Sequence, residues 1–266
     1  MLDAVVNQAA GLMGLESRGS ARIVPVVCHG DEKAELPLLW RLCSTLSEFG
    51  YPVTVLDATT PETQSHPGLE QRLAYQFGNS SHAPTDPEWA VLAAANGLAM
   101  LKTLQPQRHK GVNRLGEIFA ADSLLVLYAS ADLLVQLLAH SQVKPLLVVS
   151  PAKSALLTSY LALKRLLVNG GLDPIILHMM QVPAKSNSNP GMSVASNLTE
   201  CAKNFLGYDI EAMTLDLAST NDAMYRTMRV LATRLLESAF TLHPQFPAAL
   251  NDSPMDGWTR PLARNH

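Results

Sequence analysis

The stretch Ile23 to Asp57 constrains this chain more than any other. It reads as an apolar, β-branched run (IVPVVCHG), a polar turn, a helical segment and a second apolar run (YPVTVLD). From Leu36 to Phe49 the apolar residues Leu38, Leu39, Leu42, Leu46 and Phe49 recur at helical spacing. Gly50 stands where a helix C-terminus takes a left-handed residue. The pattern predicts a strand–helix–strand unit whose first turn, Gly30-Asp31-Glu32-Lys33-Ala34-Glu35-Leu36-Pro37, occupies the place where α/β proteins commonly bind phosphate. Pro37 suits the first turn of a helix.

The turn itself argues against phosphate. A phosphate cradle needs glycines, so that backbone N–H groups can approach closely, and a Lys with a neighbouring hydroxyl. Here three carboxylates (Asp31, Glu32, Glu35) face one Lys33, and such a turn repels a polyphosphate.

Further apolar runs alternate with helical patterns. Strands are expected at Ser123–Tyr128, 145–149 and Asp173–Met179, with another late in the chain, after Gly207. Helices are expected from Pro67 to about Phe77, over 88–104, over 111–120, from Lys153 to about Val168, from Ser193 to Leu206, and from Thr220 to Phe240. Asp132 reads as a first-turn helix residue. At least five strands alternating with helices predict an α/β domain, a largely parallel sheet with helices on both faces. Residues 78–87 and 183–191 read as loops. Residues 2–15 predict a helix with a stripe of Leu2, Val5, Val6, Ala9, Leu12 and Met13, joined to the body by ESRGSAR. Residues 243–266, with four prolines, predict a mostly disordered tail. The domain boundaries are thus 1–20, 21–242 and 243–266.

Composition narrows the function classes. With 266 residues the core can be ample, and a formal net charge of −3 gives no basic excess for nucleic acid. Cys28, Cys43 and Cys201 have no metal spacing and read as reduced thiols of a cytoplasmic protein; the eight histidines give no ligand spacing. Asp3 and the lack of a basic n-region predict no secretory signal, and no run reaches the roughly 18 apolar residues of a membrane span. No cofactor and no metal are expected. Cys28 beside His29 at a strand end leaves open an unrelated α/β enzyme with a nucleophile there.

The strand–turn–helix resembles the opening of the MinD/ParA family of partition ATPases, whose deviant Walker A loop reads K-G-G-x-x-G-K-[ST]. On that loop Asp31 replaces the first Lys, Glu32, Lys33 and Glu35 replace glycines, Leu36 replaces the phosphate Lys, and Pro37 the Mg-binding hydroxyl. Asp57 stands at the family's L-D-A-D carboxylate, a former metal and nucleotide position. The run from Val148 through Ser150, Pro151, Ala155, Leu156, Tyr160 and Lys164 is similar to the family's V-V-T-x-P-E-x-x-A-L-x-D-A-Y-x-x-I-K segment, with Lys153 in place of Glu. The string N-Q-A-A-G-L resembles the D-Q-A-x-G-L-R element of FlhG, the MinD-like regulator of flagellar number: Gln8, Ala9, Gly11 and Leu12 match, while Asn7 replaces Asp and Met13 replaces Arg. The resemblance implies a degenerate, non-catalytic member acting in flagellar number or placement. Its partner would be an FlhF-type GTPase, contacted by Asn7, Gln8, Ala9, Gly11, Leu12 and Met13. A homodimer and a peripheral place at the inner membrane or cell pole are compatible with it. Two alternatives stay open: a MinD-like pseudo-ATPase of a pilus or cellulose-export machine, and an ATPase using an unrecognised loop.

Overall fold

The computed structural model describes residues 20–75, 89–103, 109–150, 152–180, 194–216 and 220–243. Their order is β1 (Arg22–Cys28), α1 (Glu32–Glu48), β2 (Val53–Asp57), α2 (Leu69–Tyr75), β3 (Trp89–Ala93), α3 (Ala95–Thr103), α4 (Lys110–Asn113), α5 (Leu115–Ile118), β4 (Leu124–Ser130), α6 (Ala131–Leu138), β5 (Leu146–Val149), α7 (Lys153–Lys164, continued by a π-helical turn Arg165–Gly170), β6 (Ile175–Met180), α8 (Val194–Cys201, continued by Ala202–Leu206), β7 (Ala212–Asp216), α9 (Asn221–Glu237) and β8 (Phe240–Thr241).

The strands form one sheet in the order β3-β2-β4-β1-β5-β6-β7. All these pairings are parallel, and β8 adds to β1 in the antiparallel sense. Alternation along each strand splits the apolar side chains between two layers. Val24, Val26, Val53, Val55, Val126 and Tyr128 face α1 and α9. Ile23, Val27, Leu125, Leu127, Val149 and Ile176 face the helices on the opposite side. The expected α/β domain with helices on both faces is what the chain forms.

Pro25 lies inside the central strand β1, where its missing N–H would ordinarily break a ladder. The register removes the conflict. Arg22 N–H donates to Ser123 on the β4 side, and Ala21 C=O accepts from Leu242 on the β8 side. Odd-numbered residues therefore point toward β8 and β5. On that side β1 pairs with β8 at Arg22 and Ile23 and with β5 at Val26, so Pro25 falls in the gap between them.

α1 ends in a Schellman motif: Gly50 N–H donates to Ser47 O at 2.8 Å and Tyr51 N–H to Leu46 O at 3.4 Å. Gly50 has φ +88°, as its position in the sequence predicts.

Four expectations need correction. α1 begins at Glu32 rather than near Leu36, so Pro37 sits inside the helix and not in its first turn. The expected helix over 88–104 is strand β3 followed by α3, because pairing with β2 along five residues outweighs the helical propensity of an Ala- and Leu-rich run. The expected helix over 111–120 is the two short turns α4 and α5. The last helix stops at Glu237, and Phe240 joins the sheet in β8.

His178 on β6 is buried, and burial lowers its pKa from the ordinary histidine value. The unfolded chain then takes up the proton more readily than the folded one. Stability should be full above a pH of about 6.5, the unfolded value, and should fall as pH drops below it toward the lowered folded value. His178→Leu should flatten that part of a urea-unfolding pH profile; an unchanged slope would assign it to other groups.

Candidate functional site

The C-terminal ends of β1, β2 and β4 meet at the β1–α1 turn, the position at which open α/β sheets bind ligands. Between Cys28 and Glu32 the connection is three residues, His29, Gly30 and Asp31. Gly30 has φ +94°, and a Cβ there would meet nothing within 4 Å, so glycine serves the backbone angle and not a close approach. In place of a wide loop, the helix starts at once.

The turn's amides are already occupied. Glu35, in the first turn of α1, is buried and folds its carboxylate back under the turn. Its Oε1 accepts from His29 N–H at 3.2 Å and from Asp31 N–H at 3.0 Å. Its Oε2 accepts from Tyr128 Oη–H at 2.5 Å. His29 Nε2 lies 3.4 Å from Oε1 and 2.7 Å from Val148 O. Both neighbours of Nε2 are acceptors, which places a proton on that nitrogen. Nδ1 is 3.0 Å from Thr158 Oγ1 on α7. The cluster thus ties β1, α1, β4, β5 and α7 through one internal carboxylate, set at a helix N-terminus where negative charge is favoured.

The other members of the turn do different things. Glu32, Lys33, Leu36 and Pro37 point outward, and Asp31 is half-buried. Asp57, at the end of β2, accepts from Thr59 N–H (2.9 Å), Thr59 Oγ1 (2.7 Å) and Thr60 Oγ1 (2.7 Å), so its carboxylate closes the local turn. Asp132 lies in the first turn of α6, as expected, and pairs with Arg165 at 3.1 Å. Asn7, Gln8, Ala9, Gly11, Leu12 and Met13 lie outside the described residues.

Nucleophilic chemistry finds no activated group here. Burial, with the Glu35 charge adding to it, pushes the Cys28 thiol above its ordinary pKa, although its contact with Tyr128 works the other way. Burial and the Cys28 and Glu35 contacts push the Tyr128 hydroxyl up as well. Both stay protonated near neutral pH, and a protonated thiol is a poor nucleophile. Among the described residues no group of His, Cys, Asp and Glu is placed to hold a metal ion, and no helix is long and apolar enough to cross a membrane.

Sequence reasoning missed Tyr128, Thr158 and Glu62. Glu62, buried after β2, accepts from Glu70 N–H (3.2 Å), Asn96 N–H (2.7 Å) and Gly97 N–H (2.9 Å). It is a second internal carboxylate, serving the N-termini of α2 and α3 together. For Tyr128 a signal existed: it shares the alternation of Leu124 and Val126, which faces α1.

Among solved structures the chain is similar in fold to the MinD of the MinC:MinD cell division complex of Aquifex aeolicus, with TM-score 0.51 and 11% identity over 81% of this chain and 96% of that one. It is also similar to cobyrinic acid a,c-diamide synthase of Mycobacterium smegmatis with bound ADP and magnesium, with TM-score 0.52 and 12% identity over 84% of this chain and all of that one. No protein-family model and no curated protein sequence matches the chain. The likeness is one of fold: a MinD-like α/β domain, in which the β1–α1 turn is built around the chain's own carboxylate.

Proposed function

We propose that this chain is a non-catalytic regulator of the FlhG type, which works by contact with another protein and not by turning over nucleotide. The observation that carries the reading is the Glu35 carboxylate on the His29 and Asp31 amides, where a phosphate-binding relative would present free donors. A nucleotide would have to displace a buried carboxylate held also by Tyr128 and His29. The partner is an FlhF-type GTPase of flagellar biogenesis. The support is the string of Gln8, Ala9, Gly11 and Leu12 just ahead of β1, where FlhG carries its activating element. Residues 1–20 then act as a separate partner-binding element and 21–242 as its scaffold. The element joins the domain at Ala21, at the end of the sheet opposite the β1–α1 turn.

The test measures the GTPase rate of an FlhF-type GTPase from the same source with the full-length protein, wild type against Gln8→Ala. Stimulation by wild type that is lost in Gln8→Ala, and is the same with and without Mg-ATP, is expected. No stimulation ends the FlhF assignment and leaves a MinD-like scaffold for another envelope machine. Saturable micromolar binding of Mg-ATP by calorimetry, at one site per chain, overturns the non-catalytic reading.

A further inference from the structure

We infer that the outer side of α7 is the seat of this chain's own N-terminal segment: residues 2–15 lie on it as a helix, in the same sense as α7, with Leu2, Val6, Ala9 and Met13 against Leu157, Leu161, Lys164 and Val168.

α7 packs inward through Ala162, Leu163, Leu166 and Leu167, which join the core on the face of the sheet away from α1. Its outer side is open. There Leu157 is 64%, Leu161 42% and Val168 56% exposed, and Lys164 is exposed between them. α1 exposes two large apolar side chains, Leu36 and Trp40, and α9 exposes Tyr225 and Val230. Among the described helices only α7 exposes three, spread along about 16 Å of its axis.

Spacing, and the place where the chain enters the fold, select the occupant. Leu157, Leu161, Lys164 and Val168 stand at i, i+4, i+7 and i+11, and so do Leu2, Val6, Ala9 and Met13. That spacing puts each set on one face of a helix. Residues 2–15 lie outside the described residues, and the described chain begins at Ser20, just before β1. α7 crosses from β5 to the parallel strand β6, so it runs against the strands. Its start stands over the far end of β1, where Thr158 meets His29, and its end comes level with the beginning of β1. A helix that must hand its C-terminal end to Ala21 therefore runs in the same sense as α7. In that sense all four pairs fall into register together.

The connection also suits the seat. From Met13 to Ala21 the chain can extend up to about 26 Å, more than twice the diameter of a helix. A tether this short holds the segment at a millimolar effective concentration, so a modest apolar contact is enough to seat it. Ala9 falls opposite Lys164, whose stem can cover the small side chain while its ammonium stays in water. A helix so seated turns Asn7 and Gly11 away from α7, toward any partner. The contact does not require that partner to be an FlhF-type GTPase, so it stands or fails separately from the proposed function.

Hydrogen exchange of the full-length protein, read by mass spectrometry on fragments covering residues 2–15, tests this. The amides of wild type are expected to exchange about tenfold more slowly than those of Leu161→Lys, whose circular dichroism spectrum should be unaltered. A disulfide gives a second readout that does not depend on Leu161→Lys folding. Mild oxidant should join the two new thiols of Ala9→Cys/Lys164→Cys within one chain, and should not do so in Ala9→Cys/Val230→Cys; fragment mapping separates that bond from any made by Cys28, Cys43 or Cys201. Wild-type amides that exchange at the rate of an unstructured peptide overturn the proposal. So does protection that survives in a folded Leu161→Lys, or the lack of the bond between positions 9 and 164. A bond formed only between molecules moves the seat to a second copy and overturns it as well.

Discussion

Replacing Glu35 with alanine is expected to cost roughly 3–5 kcal/mol of unfolding free energy, read from urea titration monitored by circular dichroism. The loss is large because the carboxylate answers several donors together: the His29 and Asp31 amides, the Tyr128 hydroxyl and His29 Nε2. Removing it takes that acceptor from the two amides and the Tyr128 hydroxyl, while His29 Nε2 keeps Val148 O, and the lost desolvation is not returned. Glu35→Gln should cost far less, about 1–2 kcal/mol, because its carbonyl still accepts from the amides while its NH2 can donate to Tyr128 Oη. Tyr128→Phe should fall between the two. For a domain of this size the alanine variant should melt about 10 °C lower. An alanine variant within 1 kcal/mol of wild type would show that the carboxylate does not hold the turn.

Gly68→Ala is expected to be as damaging, by roughly 3 kcal/mol or more, through overlap and not through lost hydrogen bonds. A Cβ at Gly68 would stand 2.1 Å from Ala93 O and 2.6 Å from Glu62 Cγ. The first of these is backbone at the end of β3 and the second belongs to the carboxylate that caps α2 and α3, so neither gives way without moving an element. Gly30→Ala makes the useful contrast. There a Cβ meets open space, and the cost is the left-handed backbone angle alone, about 1 kcal/mol. Thermal unfolding of the two variants side by side distinguishes these causes. Equal, small losses would mean that the β3 end yields easily.

The β1–α1–β2 unit was legible because each of its signals was local: a β-branched run, an apolar stripe at helical spacing, a glycine at the helix end. The role of Glu35 was partly legible too. Positions 35, 38, 39, 42 and 46 form one continuous helical face, so Glu35 opens the buried stripe instead of joining the solvent side with Glu32. Reading it only as one of three repelling charges overlooked that spacing. What the carboxylate meets was not legible, since Tyr128 lies 93 residues away and reaches it only through the β1–β4 register. The strand at 89–93 was hidden for a related reason. Alanine and leucine favour helix locally, and the decision is made by β2, a strand remote in sequence. β8 has only two residues, too few to give any period, and its pairing depends on β5 joining β1 at Val26 and leaving the lower end of that flank open.

The β1–β8 pairing also sets how the domain carries mechanical load. Residues 1–19 and 244–266 leave the body from adjacent strands at one end of the sheet, where Leu242 N–H donates to Ala21 O at 2.8 Å. A pull between the two segments acts on an antiparallel pair from its open end, so the bonds break in succession, as in a zipper, instead of sharing the force. Among the described residues that seam is short, the pairs Arg22–Thr241 and Ile23–Phe240 with the Leu242–Ala21 bond at its open end, whereas β1 stays clamped to β4 from Arg22 to Cys28. Tension applied to the two tails would therefore peel β8 away first and lengthen the tether at its C-terminal side, while the parallel sheet remained folded.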